Sequence, residues 1–138
     1  MILLVHMLLG AAMGHVVKNP ILAIIMAYLS HYLLDFIPHI EYDVKKLKKI
    51  ILDLCLGILF IFLFSKNNPV IYICAFFAIL PDGFTVLNNL FPNKILEIHN
   101  KLHTKKIHFL RDNKKISNFW RVFSQLLIIF ISILLLTR

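Results

Sequence analysis

The chain contains few of the residues from which many catalytic and binding motifs are built. It has four glycines in 138 residues, so a glycine-rich loop that cradles nucleotide phosphates is excluded. Its two cysteines, Cys55 and Cys74, lie inside apolar segments and have no CxxC spacing, which argues against a disulfide framework or a thiolate metal site. GxSxG and HExxH motifs are also absent.

Charge is scarce as well. Only 16% of the residues are charged, 59% are hydrophobic, and the mean hydropathy is +0.81. Soluble domains are nearer one quarter charged, so this composition is typical of an integral membrane protein. Seven acidic residues stand against fifteen Lys and Arg. Because the basic residues flank apolar runs, we expect contact with the bilayer and anionic lipid headgroups and not with nucleic acid.

Apolar segments of near-spanning length set the predicted fold class. The sequence predicts one all-α domain over 1–138, a polytopic transmembrane bundle of about five apolar helices with a cytoplasmic amphipathic segment. The five segments are 1–17, 20–37, 50–65, 69–91 and 119–137. Pro81 interrupts the fourth, which either ends near Leu80 or kinks there and continues as a broken helix.

The distribution of basic residues predicts the orientation. Five spans place the connections after the second and fourth segments on one side of the membrane. Twelve of the fifteen Lys and Arg belong to these two connections: Lys45, Lys46, Lys48, Lys49, Lys94, Lys101, Lys105, Lys106, Arg111, Lys114, Lys115 and Arg121. The positive-inside rule therefore predicts a multi-pass protein of the inner membrane with its N-terminus in the cytoplasm.

Several histidine and aspartate residues lie inside or at the ends of the apolar segments, where ionisable side chains are energetically costly. His31 and Asp35 are four residues apart, which puts them on one face of the second helix. Ionisable residues inside spans indicate function, and here several segments supply them at a similar depth on the cytoplasmic side. The predicted metal ligands are His6, His31, Asp35 and Asp82, completed by His103 or His108.

Imidazole and carboxylate ligands without thiolate suit zinc, iron or manganese, and zinc is the commonest choice for hydrolysis. The sequence therefore predicts a metal-dependent hydrolase that acts on a phosphoester or ester near the lipid headgroups. Asp53 or His39 is the predicted general base or ligand-orienting group. Asp53 also has a simpler interpretation, as a carboxylate in the first turn of the third helix.

Three motifs carry a resemblance to a known family. An N-terminal helix contains HMLLGAAMG with His6, an LPD sequence ends at Asp82, and HTKKIH spans His103 and His108. Together they resemble the YdjM-like family of membrane-bound predicted metal-dependent hydrolases, whose members show a His–Gly helix, an LPDxD segment and an HRGxTHS-like segment. Here Phe84 replaces the second Asp, and the Arg, Gly, Thr and Ser of the last motif are missing. The resemblance implies a membrane-bound metal hydrolase.

Two other functions use the same features. A metal or proton transporter would line a path with these side chains, but the outer half of the membrane carries almost no polar residue except His15. A non-enzymatic adaptor would recruit lipid or a partner through the basic loop. Bound metal separates the hydrolase from the adaptor. The sequence leaves the oligomeric state and the part played by His99 open.

Overall fold

The computed structural model describes residues 2–40, 47–65, 67–103 and 116–138. Within those ranges the chain is all-helical and contains no strand. The six helices are α1 (Leu3–Val16), α2 (Pro20–Phe36), α3 (Leu47–Phe64), α4 (Pro69–Leu90), α5 (Lys94–Leu102) and α6 (Asn118–Thr137). Helix α1 lies at the centre, because it packs against α2, α3, α4 and α6.

The all-helical prediction is confirmed, and each apolar segment corresponds to one helix. The third helix begins at Leu47, three residues before the predicted boundary. The two alternatives for the fourth segment are also resolved, because α4 continues through Pro81 to Leu90. A proline removes one i→i−4 hydrogen bond from a helix, and the residues on either side keep α4 continuous. The amphipathic segment that follows is the short helix α5.

Asparagine side chains cap the N-termini of three helices, α2, α4 and α5. The Asn19 Oδ1 atom accepts hydrogen bonds from the amides of Ile21 and Leu22, and Pro20 occupies the first turn of α2. The Asn68–Pro69 pair repeats this arrangement at α4. Such a cap satisfies amides that have no partner inside the helix, while proline there needs none. These two Asn-Pro pairs therefore fix where α2 and α4 start.

Two glycines allow α1 and α4 to approach closely. A Cβ atom added at Gly10 would lie 2.5 Å from Ala78 Cβ and 2.8 Å from the Cys74 oxygen. One added at Gly14 would lie 2.9 Å from Ile71 Cα. Gly10 and Gly14 form a GxxxG pattern, the small-residue spacing that brings membrane helices into backbone contact. Because Gly10 and Gly14 have no side chains, α1 packs directly against α4 and brings His6, on the same helix, close to α4.

Helix α6 holds the segment that follows α2. Ser124 Oγ donates to the Pro38 oxygen at 2.7 Å, Arg121 donates to the His39 oxygen at 3.1 Å, and Gln125 Nε2 donates to the Ile40 oxygen at 2.8 Å. These three carbonyls lie beyond the end of α2, where no helical amide is available to them. These contacts hold residues 38–40, which follow Asp35 and the end of α2, against α6.

Two helices, α4 and α6, are long and apolar enough to cross a membrane by length and composition. Helices α1 and α2 are apolar but shorter. The 18 residues of α3 include Lys48, Lys49 and Asp53. Large apolar side chains remain exposed along α2, α3 and α6, for example Ile25, Leu59 and Phe130.

Candidate metal centre

Helix α2 provides the centre of the site. His31 and Asp35 are one turn apart and fully buried, and His31 Nε2 lies 3.1 Å from Asp35 Oδ2. The i, i+4 spacing therefore places both side chains on the face of α2 that packs into the bundle. Ala23 and Ala27, further back on the same helix, pack against Cys74 and Ala78 of α4. Small residues thus bring this face of α2 against α4.

Asp35 is surrounded by three imidazoles from three helices or their ends. His6 Nε2 of α1 lies 3.3 Å from Asp35 Oδ1, and His103 Nε2, at the C-terminal cap of α5, lies 3.1 Å from Asp35 Oδ2. His31 Nε2 and His103 Nε2 are 2.9 Å apart. Ligand atoms bound at about 2.0–2.2 Å around one ion are separated by roughly 3–3.5 Å. His31, Asp35 and His103 therefore form a group that could hold a metal ion.

Asp82 forms the partly exposed edge of the cluster. Its Oδ1 atom is 3.7 Å from His31 Nε2 and 4.0 Å from His103 Nε2, and its side chain is 28% exposed. With His6 and His31 it forms a second group that could hold a metal ion. The two groups share His31, so they define one cluster. A site with one accessible side is what catalytic metal centres require, because a substrate or water needs a position on the ion.

A backbone contact sets the tautomer of His31. Its Nδ1 atom lies 2.7 Å from the Ala78 carbonyl oxygen, which can only accept, so Nδ1 carries the proton. The lone pair of a neutral His31 is then on Nε2 and faces the carboxylate oxygen of Asp35. Two electron pairs at 3.1 Å repel each other unless a cation or proton lies between them. This arrangement is the one in which metal-binding histidines are usually found.

His6 is the least satisfied of the imidazoles. It is fully buried and stacks on the His31 ring with centroids 4.1 Å apart, yet neither of its nitrogens makes a hydrogen bond to any residue that the structure describes. A buried polar atom without a partner carries a free-energy cost of roughly 1–3 kcal/mol. Its Nε2 points toward Asp35, where coordination to an ion would satisfy it.

His99 holds α5 in place beside the cluster. Its Nε2 donates to the Pro81 oxygen at 3.1 Å, and its ring stacks on His103 with centroids 5.6 Å apart. Partial burial lowers the pKa of His99, so the ring is neutral at pH 7 and its one proton lies on the nitrogen that faces Pro81. His99 thus uses Nε2 for the backbone and orients the helix that carries His103.

The donor set fits a divalent cation. It comprises three imidazoles and two carboxylates from α1, α2, α4 and the end of α5, with no thiolate among them. Two carboxylates match the charge of a divalent ion, which reduces the large cost of burying Asp35. Hard and borderline ligands of this type suit zinc, iron or manganese.

The other predicted site residues lie in different surroundings. Asp53 Oδ2 accepts a hydrogen bond from the Leu4 amide at 3.3 Å, so its carboxylate meets the first turn of α1. His39 is buried and its Nδ1 donates to the Ile37 oxygen at 2.6 Å. Neither belongs to the two groups of metal-binding geometry found among the described residues. His108 lies outside the described residues.

We expect Asp53→Asn to lower the free energy of unfolding by about 1 kcal/mol and to leave bound metal unchanged. The reason is that a carboxylate at a helix N-terminus satisfies amides and the helix dipole, and an asparagine oxygen still accepts. Unfolding in detergent, followed by circular dichroism beside elemental analysis, measures both quantities. A loss of turnover of roughly 10²–10⁴ with normal stability would instead assign Asp53 as the general base.

Sequence reasoning missed two contacts that position the ligands. The carbonyls of Ala78 and Pro81 accept from His31 and His99, and such backbone acceptors leave no side-chain signal in a sequence. Tyr32 packs edge-on against both His31 and His103, and its hydroxyl lies 2.9 Å from that of Tyr28. The sequence signal for this packing is an aromatic residue directly after His31, together with a second aromatic residue, Tyr28, four positions before Tyr32.

Comparison of the chain with protein-family models, curated proteins and solved structures found no match. The interpretation of the cluster therefore depends on its own geometry.

Proposed function

We propose that the protein is a membrane-bound metal-dependent hydrolase in which His6, His31, Asp35, Asp82 and His103 hold one divalent ion. The observation that carries the proposal is the environment of Asp35. A fully buried carboxylate lies within 3.3 Å of nitrogens from three imidazoles, so four potential ligand side chains converge on one point. A shared cation would also satisfy His6, whose nitrogens make no hydrogen bond to any residue that the structure describes.

The metal is proposed to be zinc, and the reaction hydrolysis of a phosphoester or ester. A bound zinc ion supplies a Lewis acid and a water of lowered pKa. The protein's own groups then divide the remaining work: Asp35 balances charge, Ala78 fixes the His31 tautomer, and Asp82 faces the accessible side. Asp53 contacts the Leu4 amide and His39 the Ile37 oxygen, so we assign neither a role in this reaction, and the Asp53→Asn variant tests that assignment for Asp53. The resemblance to the YdjM-like family supports the same reaction class.

The proposed setting is the inner membrane. All contacts of the cluster come from one end of the bundle, formed by the start of α1, the ends of α2 and α5, and the second half of α4. In the sequence, the basic connections follow α2 and α5, whose ends contribute to the cluster, and apolar side chains remain exposed along α2, α3 and α6. We place the site at the cytoplasmic boundary, where anionic headgroups and ester or phosphoester substrates occur.

Cysteine labelling tests this orientation. In a Cys55→Ser background, we expect Lys18→Cys to react with a membrane-impermeant maleimide in intact cells, because Lys18 is exposed between α1 and α2 and the proposed topology puts this connection outside. Lys105→Cys should react only after the cells are permeabilised, because the positive-inside rule keeps that basic loop in the cytoplasm. Reaction of Lys105→Cys in intact cells would reverse the topology and move the site to the other compartment.

A matched pair of histidines on α1 tests the function. His6 lies in the cluster, whereas His15 lies at the opposite end of the same helix. We expect His6→Ala to lower both bound metal and hydrolysis of a generic phosphoester or ester in detergent by at least roughly tenfold, since loss of a ligand or its support has that effect. His15→Ala should match the wild type. Equal behaviour of the two variants, with metal retained, would exclude His6 as a ligand.

The adaptor function makes the opposite forecast for this experiment. An adaptor keeps its histidines only for packing, so neither variant would change metal content and the wild type would hydrolyse nothing. Measuring metal and hydrolysis in one preparation distinguishes the two functions.

A further inference from the structure

The short helix α5 has three distinct faces. The more buried positions are Leu96, His99, Asn100 and His103, of which His99 contacts Pro81 of α4 and His103 contacts the cluster. A second face is charged, with Lys101 Nζ 2.6 Å from Glu97 Oε1. The third face is apolar and lies between the buried face and the charged face around the helix axis.

That apolar face is open in the folded chain. Its side chains follow helical spacing and are strongly exposed: Ile95 76%, Ile98 52% and Leu102 47%. Leu90 and Phe91, which immediately precede the connection to α5, are also strongly exposed. Grouped apolar exposure of this kind indicates a surface that meets an apolar partner.

Contacts within the protein hold α5 only in part. The helix packs against α4, and no side chain from Lys94 to Leu102 is fully buried. Its polar links to the bundle include the His99–Pro81 hydrogen bond and the contacts of His103, which caps its C-terminus. A nine-residue helix is marginal by itself, so a partner on its open face would add to the stability that packing against α4 provides.

We propose that the partner of this face is the lipid bilayer. In this arrangement α5 lies in the membrane interface and positions His103 at the metal cluster. The three faces have the order that such a position requires: apolar side chains toward the acyl chains, Lys94, Glu97 and Lys101 toward water, and histidines toward the protein. Amphipathic helices with lysines on the polar face bind anionic membrane surfaces in this way.

Seating in lipid has a consequence for the site, which rests on the proposed function above. Because His103 follows directly on Leu102, the depth of the apolar face sets the position of its ring beside Asp35. The cluster is therefore complete when α5 is embedded and loses one imidazole when α5 lifts away. Metal retention then depends on the membrane surface, which couples the activity of the site to the lipid on which it acts.

A depth measurement tests the seating without using the metal. An environment-sensitive fluorophore is attached to Ile98→Cys or to Lys101→Cys in the Cys55→Ser background, and each protein is placed in vesicles of phosphatidylethanolamine and phosphatidylglycerol. Lipids with a nitroxide near the headgroup should quench the fluorophore at 98 strongly and the one at 101 weakly. Aqueous iodide should give the reverse order.

Either of two results would overturn the proposal. If iodide quenches both positions equally, α5 lies in water. If the label at 98 is shielded from iodide and from the nitroxide lipids alike, protein covers the face, either a second copy of the chain or another partner.

A second measurement tests the coupling to the site. The double variant Ile95→Asn/Ile98→Asn should weaken zinc binding in these vesicles by roughly 10- to 100-fold, the range for loss of groups that position a ligand. The control Leu126→Asn, an exposed apolar residue on α6, should bind zinc as the wild type does. Unchanged affinity in the double variant would exclude the coupling. A wild type that binds no zinc would contradict the proposed function, while the quenching result would still decide the position of α5.

Discussion

Replacement of Asp35 by asparagine is expected to release nearly all of the bound metal. Asp35 contacts all three imidazoles of the cluster, those of His6, His31 and His103. The asparagine keeps the size of the side chain but removes its negative charge and one acceptor oxygen. Without that charge, a divalent ion in a buried site is no longer balanced, and its affinity falls steeply.

Elemental analysis of the purified protein measures this effect, and circular dichroism shows whether the helices persist. Asp53→Asn is the matched control, since it makes the same chemical change in a residue that contacts the Leu4 amide. We expect that control to keep its metal. Wild-type metal content in Asp35→Asn would refute the assignment of Asp35 as a ligand.

Gly10→Ala is expected to cause a large loss of stability for a single methyl group. The new Cβ would lie 2.5 Å from Ala78 Cβ and 2.8 Å from the Cys74 oxygen, so the backbones of α1 and α4 must move apart. Overpacking of this kind costs about 1–3 kcal/mol. The movement also reaches the site, because the Ala78 oxygen accepts from His31 Nδ1.

Gly83→Ala on α4 is the control for that variant. A Cβ atom there meets nothing within 4 Å, and alanine is favoured over glycine in a helix by up to about 1 kcal/mol. Unfolding in a series of dodecyl sulfate mixtures should therefore show Gly10→Ala less stable and Gly83→Ala at least as stable as the wild type. Equal stability of all three proteins would mean that α1 and α4 are not in backbone contact.

The sequence was a good guide to the helices and to the core of the cluster. Apolar segments of near-spanning length predict the helices to within a few residues, and the i, i+4 spacing of His31 and Asp35 needs no tertiary information. The approach of Asp82 and His6 to these residues could be anticipated because ionisable groups are costly in an apolar bundle unless they meet. The helix positions and the His31–Asp35 spacing are local features, and the approach of Asp82 and His6 follows from the cost of isolated ionisable groups in an apolar bundle.

Other features depend on the packing of distant segments and could not be predicted. Asp53 contacts the start of α1, 49 residues away in the chain, and nothing near Asp53 indicates that partner. The His99 contact with Pro81 depends on the angle at which α5 returns along α4. The Gly10–Gly14 pattern was visible in the sequence, but only the structure identifies α4 as the helix it meets.

The metal content of the wild-type protein is the most direct test of whether the cluster around Asp35 binds a metal. The protein is purified from membranes in detergent without chelator and its metals are quantified per chain. We predict one divalent ion per chain, zinc by preference, bound through nitrogen and oxygen only. Wild-type protein that carries no metal and takes up none when zinc is added would contradict the account.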